Sequence, residues 1–134
     1  MIVIIPCGAR KKQGTWPAFQ LYTGPYYTMR LRYALSLTSP GNIFILSAKY
    51  GLLRLTDLVK SYNLKMGQPG SVKVDEVRRQ AQELGLLESS IYAIGGRLYT
   101  NICRQVWPSC KTPLDGLSGL GKQLSWMKAH MGKI

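Results

Sequence analysis

The sequence predicts a small three-layer α/β sandwich built on a short, mainly parallel sheet of three to four strands. Three observations support this expectation. Short apolar runs recur without polar alternation, as strands buried on both faces require. Each run ends in a glycine-bearing turn, and each is followed by a stretch with helical spacing of its apolar residues. The resulting β-α-β-α-β-α order favours parallel strands joined by right-handed crossovers. With 134 residues there is room for a single domain spanning 1–134, and 46% hydrophobic residues can supply its core without metal or disulfide staples.

The first strand is read at Ile2 to Pro6, a β-branched run closed by Pro6-Cys7-Gly8. Thr23-Gly24-Pro25 then signals a helix start, with Thr23 as candidate cap and Pro25 in the first turn. The helix from Tyr26 to Leu37 sets Met29, Tyr33 and Leu37 on one face. A second strand runs from Asn42 to Ala48 and ends at Lys49-Tyr50-Gly51, with a long loop from Tyr50 to Ser71. The next helix, Val74 to Leu84, turns Val77, Ala81 and Leu84 inward and Arg78, Arg79, Gln82 and Glu83 outward. Ser90 to Ile94 is the third strand, ending at Gly95-Gly96-Arg97. Helices follow at Leu98 to Val106, stopped by Trp107-Pro108, and at Lys122 to Met131, with a fourth short strand expected near Lys111 to Leu114.

Composition narrows the function. Eighteen Lys and Arg against six Asp and Glu leave a net charge of +12, which points to a polyanionic partner. Residues 1–70 hold nine of those cations and one acid, so the N-terminal half has most of the excess. No apolar run reaches the ~20 residues of a membrane span, and Met1-Ile2-Val3-Ile4-Ile5 lacks the basic segment of a signal peptide. Cys7, Cys103 and Cys110 are an odd, unpaired set, and His130 is the lone histidine. A secreted disulfide scaffold and a metal site are therefore not expected. The expectation is a reduced, cytoplasmic domain that uses no metal or redox cofactor and no membrane.

Ligands of open parallel sheets collect beyond the carboxyl ends of the strands. Here those ends are Cys7-Gly8-Ala9-Arg10-Lys11-Lys12, Ser47-Ala48-Lys49-Tyr50-Gly51 and Gly95-Gly96-Arg97. Each combines glycine, which lets a backbone approach closely, with a cation that neutralises phosphate. For any one loop, glycine is sufficiently explained as a strand terminator. Three such loops on one edge predict a phosphate or nucleic-acid site. No P-loop and no G-x-G-x-x-G fingerprint occurs. The segment Gly116 to Lys122, including Gly119, reads either as a flexible lead-in or as amides that hold one phosphate at the last helix start.

Elimination sorts the acids. Asp75, Glu76, Glu83 and Glu88 sit in or beside one helix and read as solvated structural charges. Carboxylate chemistry is left to Asp57 or Asp115, with capping of a turn at Leu58-Val59 as the alternative for Asp57. Tyr22, Tyr26, Tyr27, Tyr50 and Tyr62 crowd the first half with Trp16 and Phe19. Tyr50, between Lys49 and Gly51, reads either as a base-stacking platform or as packing under the loop. Cys7 reads as a small strand-end filler rather than a nucleophile, since His130 is an unpromising base.

The pieces I-I-P-C-G-A-R-K-K, L-Y-T-G-P-Y-Y, I-L-S-A-K-Y-G-L-L, D-L, S-Y, I-G-G-R-L-Y and P-L-D-G-L-S-G-L-G-K-Q-L span nearly the whole chain. They resemble a group of small bacterial and phage domains of unknown function, distantly similar to the YaaA peroxide-stress proteins; S-A-K-Y-G-L-L is the most specific piece. The resemblance implies nucleic-acid association, DNA-modification or defence neighbourhoods, and cleavage of base–sugar bonds. Its motif positions here are Cys7, Lys11, Lys12, Tyr22, Ser47, Lys49, Tyr50, Gly51, Asp57, Tyr62, Gly95, Gly96, Arg97 and Gly119.

Together these features predict a DNA-acting enzyme on nucleobases, an N-glycosylase. Asp57 would activate water or stabilise oxocarbenium-like charge, and Lys49 or Ser47 would stabilise the departing base. Tyr50 would stack the base, and Arg10, Lys11, Lys12 and Arg97 would hold phosphate. Cys7, Gly8, Tyr22, Gly51, Tyr62, Gly95, Gly96, Gly119 and Lys122 complete the expected nucleic-acid-binding set. Two alternatives stand beside it: a non-catalytic DNA- or RNA-binding module, and a deoxyribosyl or phosphoribosyl transferase for free nucleotides. Charge favours a polymer over a mononucleotide, and DNA is preferred to RNA.

Overall fold

A computed structural model describes residues 1–134. Three parallel strands, β1 (Ile2–Pro6), β3 (Ile43–Ser47) and β6 (Ile91–Ala93), make up most of a four-stranded sheet. β4 (Gly51–Arg54) folds back antiparallel on β3, giving the order β4-β3-β1-β6. Val3, Ile4 and Ile5 of β1 lie opposite Ile43, Phe44 and Ile45 of β3, while Ile4 faces Ala93 of β6. All of β3 and β6 is buried, as is Val3 to Pro6 of β1. That double burial is why the apolar runs show no alternation.

Helices cover both faces. α2 (Pro25–Leu37) connects β1 to β3, and α3 (Val74–Glu83) leads from the β3–β4 side back across to β6. The two crossovers run in opposite directions across the sheet, so right-handed connections send their helices to opposite faces. α5 (Leu120–Ala129) packs on α2, and α4 (Arg97–Val106) packs on α3. Tyr33 and Ala34 of α2 and Val77 and Ala81 of α3 are fully buried.

The chain departs from the sequence expectation in three places. The stretch after Tyr50 is not a long loop: it contains β4 and then β5 (Leu58–Lys60), which pairs with β2 (Thr15–Pro17) in a two-stranded ribbon beside the short helix α1 (Ala18–Leu21). The fourth strand expected at Lys111 to Leu114 shrinks to one bridge, in which Lys111 exchanges backbone hydrogen bonds with Ile91 and Ala93. Gly24 rather than Thr23 caps α2, with a φ of 100° and no side-chain cap. No helix is long and apolar enough to cross a membrane, and all three cysteines are free.

Candidate nucleic-acid interface

The carboxyl ends of β1, β3 and β6 share one edge, and strand order reverses around β1. β1 sends its chain to α2 on one face, and β6 sends its chain to α4, which packs with α3 on the other. A crevice opens outside such a switch point. Here Cys7, just beyond β1, faces Tyr99 of α4, with Sγ 3.5 Å from the phenol oxygen. Backbone bonds fix the loop after β1: Lys12 N–H donates to Leu21 O (2.9 Å) and Thr23 N–H to Arg10 O (3.0 Å). Arg10 and Lys12 are exposed and Lys11 half-buried.

Two clefts flank that loop, both lined by Cys7, Gly8, Ala9 and Tyr99. One, of about 300 Å³, is floored by the first turn of α2 and Arg30. The other, of about 290 Å³, is walled by Lys11, Lys65 and Met66. A third, strongly polar cleft of about 380 Å³ lies beyond Gly95 and Gly96, where Arg97, Arg104 and Asp115 converge. Arg104 and Thr112 both donate to Asp115 Oδ2. Burial pushes the Asp115 carboxyl up, but the bonds from Thr112 and Arg104 and the Arg104 charge outweigh it, so its pKa is lowered.

Tyrosines form a row along this edge. Tyr50 meets Tyr62 at 5.4 Å between ring centroids, Tyr62 meets Tyr22 at 6.3 Å, and Tyr22 meets Tyr27 at 5.5 Å. Cations lie over the outer rings: Lys11 Nζ is 4.4 Å from the Tyr62 centroid and Lys49 Nζ is 5.4 Å from that of Tyr50. Tyr22 is 3% exposed and belongs to the core, so it braces Tyr62 rather than offering a face to a base. Burial pushes Tyr22 up to about 12, against hydrogen bonds from Ser47 and Tyr62 that lower it. Only Tyr50 and Tyr62 in the row retain partial exposure.

S-A-K-Y-G-L-L is explained by its turn. Ser47 is fully buried, and its Oγ accepts N–H bonds from Lys49 (3.2 Å) and Tyr50 (3.0 Å) while meeting Tyr62 Oη at 2.8 Å. Gly51, at a φ of 74°, turns the chain into β4 directly against Gln80 of α3. A Cβ there would lie 2.2 Å from Gln80 Oε1, the atom that accepts Leu52 N–H at 2.8 Å. Gly95, at a φ of 134°, is likewise pressed on Pro6, where a Cβ would stand 2.8 Å from Cγ. Both glycines admit neighbouring protein rather than ligand. Gly8, Gly96 and Gly119 lack such crowding.

Asp57 is not among the residues the fold brings together. Its Oδ2 accepts Arg54 N–H at 2.8 Å, closing the turn between β4 and β5. Leu58 and Val59, the residues a cap would have served, are in a strand, not a helical turn. Because β4 is antiparallel to β3, Arg54 pairs with Phe44 while Gly51 pairs with Ser47. Three residues of strand put this turn about 10 Å from the site edge. Gly119 caps α5 and Lys122 lies in its first turn, so the glycine-rich segment leads into a helix start, the position at which the sequence expects amides that hold one phosphate. His130 stacks on Trp126 at 3.9 Å at the end of α5, beside the C-terminal end of α2, and is no partner for Cys7. No three of His, Cys, Asp and Glu converge.

Sequence reasoning misses Arg30. Its signal is the spacing Tyr27, Arg30, Ala34, which continues the buried face of α2 through a cation. Lys65 and Asn101 give no signal either, being ordinary residues until α4 and the loop before α3 are placed, while Tyr99 shows only as the last residue of I-G-G-R-L-Y.

The model of a family of unknown function (DUF6884) matches residues 2–129. No curated protein and no solved structure matches the chain.

Proposed function

The chain belongs to this family of unknown function, and since the family assigns no activity, we propose from the strand-end edge that it binds DNA there and cleaves the base–sugar bond of a nucleotide drawn out of the strand. The observation behind this is the row of cation-topped tyrosines along the strand-end edge. Exposed Arg10, Lys12, Lys49 and Arg97 hold phosphates around it, and Tyr50 and Tyr62 supply aromatic faces for an unstacked base. The resemblance to small bacterial and phage domains, carried most specifically by S-A-K-Y-G-L-L, adds to the case for nucleic acid, and three free cysteines suit a reducing cytoplasm.

Hydrolysis adds water to the sugar carbon, and the base leaves with a proton. Such a reaction needs a carboxylate near the edge, either to accept a proton from water or to stabilise positive charge on the sugar. Asp115 occupies that place, ionised and opening on the cleft beyond Gly95 and Gly96. A non-catalytic DNA-binding domain is the second reading, favoured by the bonds that already engage the Asp115 carboxylate.

Incubation with unmodified and modified DNA, followed by mass spectrometry for free bases and abasic sites, tests the proposal. Release is expected from wild type, with single-turnover rates falling 10²-fold or more in Asp115→Asn and little in Asp57→Asn. No base release from any DNA, with binding intact, would leave the binding domain.

A further inference from the structure

Arg30 is buried and unpaired. The side chain of this α2 residue is nine-tenths buried, with 9% of the residue exposed, and its Nε has no hydrogen-bond partner. None of the chain's three ion pairs includes it: these join Arg78 to Asp75, Arg79 to Glu83 and Arg104 to Asp115. A buried guanidinium Nε without an acceptor is costly, and folded proteins rarely leave such a group unanswered. Burial lowers its pKa, while Tyr99 and Cys7 oppose that shift.

The side chain lines the 300 Å³ cleft beside β1, where the only charged residues are Arg10 and Arg30 itself. Gly24 to Tyr27 bring the N-terminal turn of α2, a helix of 13 residues, to the same cleft. Free amides and the helix dipole favour an anion at that end. The Arg10 side chain crosses Gly24, its Cδ 3.5 Å from where a Cβ would be, and so borders the opening. No residue lining the cleft is acidic. Two guanidiniums and a helix N-terminus therefore meet with nothing negative between them.

We propose that this cleft is a subsite for a phosphate monoester, held by Arg30 from below and by Arg10 and the α2 amides from above. Charge selects the monoester. A monoester at neutral pH has roughly −1.5 to −2 charges, closer to the positive charge gathered here than the single charge of a phosphodiester. A planar guanidinium fork also matches two phosphate oxygens. The monoester belongs either to a free nucleotide or to the 5′-phosphorylated end of a strand. This inference rests on reading the strand-end edge as the nucleic-acid face.

Calorimetric titration of wild type with inorganic phosphate, a deoxynucleoside 5′-monophosphate, the matching deoxynucleoside and a dinucleoside phosphate diester tests it directly. The monophosphate and inorganic phosphate are expected to bind saturably, the diester at least tenfold more loosely, and the nucleoside not at all. Comparison of 5′-phosphorylated and 5′-hydroxyl oligodeoxynucleotides separates the two sources of monoester. Arg30→Met, which keeps an apolar stem, should weaken phosphate binding tenfold or more, with Arg30→Lys recovering part. Without phosphate, Arg30→Met should melt no lower than wild type, because it removes an uncompensated buried charge. Exposed Arg10→Ala, which cannot disturb the core, should weaken binding severalfold and decides the matter if Arg30→Met does not fold.

Absence of saturable phosphate binding in wild type would overturn the inference, as would equal binding by Arg30→Met or equal affinity for the diester. Base release without phosphate binding would overturn this subsite alone. Phosphate binding without base release would overturn only the glycosylase activity.

Discussion

The two ends of the sheet treat their polar groups in opposite ways. At the end where β3 begins and α2 stops, several key polar groups are answered inside the protein. Tyr33 Oη meets Tyr92 Oη at 3.0 Å and donates to Lys133 O at 2.8 Å, Gly132 N–H reaches Ser36 Oγ, and Asp57 is tied to Arg54. At the other end Arg30 lacks a partner, lysines lie over tyrosine faces, and three clefts open beside the strand exits. Satisfied groups hold a fold together. Arg30 Nε, buried on a rigid sheet edge, has no such answer within the protein.

The largest effect should come from glycines at the strand-exit end itself. Gly95→Ala forces a side chain into a left-handed backbone and onto the Pro6 ring. We expect a loss of about 3 kcal/mol, from strain and overpacking together. Thermal melting should show it as a drop of roughly 10 °C. Gly96→Ala meets open space at a φ of −80° and should change stability by less than about 0.5 kcal/mol. Equal effects at the two positions would break the assignment of Gly95 as a packing residue.

Next in size is Tyr33→Phe at the satisfied end. Removing the hydroxyl strands Tyr92 Oη and Lys133 O and should cost about 1–2 kcal/mol in denaturant unfolding. Set against Arg30→Met, which should cost nothing, it sharpens the contrast. A Tyr33→Phe protein as stable as wild type would blur it.

The smallest effect concerns pH. Asp115 is ionised in the fold with its pKa lowered from the usual 3.8, and its side chain is half exposed. A lowered carboxyl contributes stability that is present above its unfolded pKa and is lost as pH falls through the folded one. The window therefore lies below about pH 4. Asp115→Asn should flatten the acid limb of the stability profile there and lower stability by a small constant amount near neutrality, where the wild-type carboxylate contributes in full. Stability equal to wild type at pH 6–7, or a difference that grows toward acid, would contradict this.

Much of the fold is legible in the sequence. β1, β3 and β6 appear as unbroken apolar runs because they are buried on both faces, and α2 and α3 appear through Met29, Tyr33, Val77 and Ala81. β2 and β5 are three residues long, too short for a period to show, and β4 hides inside Y-G-L-L-R because its first residues serve the turn. The strand-end loops stand out because glycine and cations recur at all three. Asp57 is misplaced by sequence because its proximity to β3 hides the reversal through β4, which takes it to the far end. Arg30 escapes because an arginine on a helix reads as solvated until the sheet beneath it is known.

The claim that the carboxyl edge engages DNA is tested most directly by salt. Duplex affinity should be measured across a range of salt concentrations for wild type, for Arg10→Ala/Lys11→Ala/Lys12→Ala, and for Lys128→Ala/Lys133→Ala near the opposite end. Each phosphate that is no longer neutralised lowers the log–log slope by about 0.9, so the triple variant should be shallower by as much as about 2.7. The Lys128 and Lys133 control should keep the wild-type slope. A triple variant with an unchanged slope, or a control whose slope falls as far, would contradict the placement of DNA at this edge.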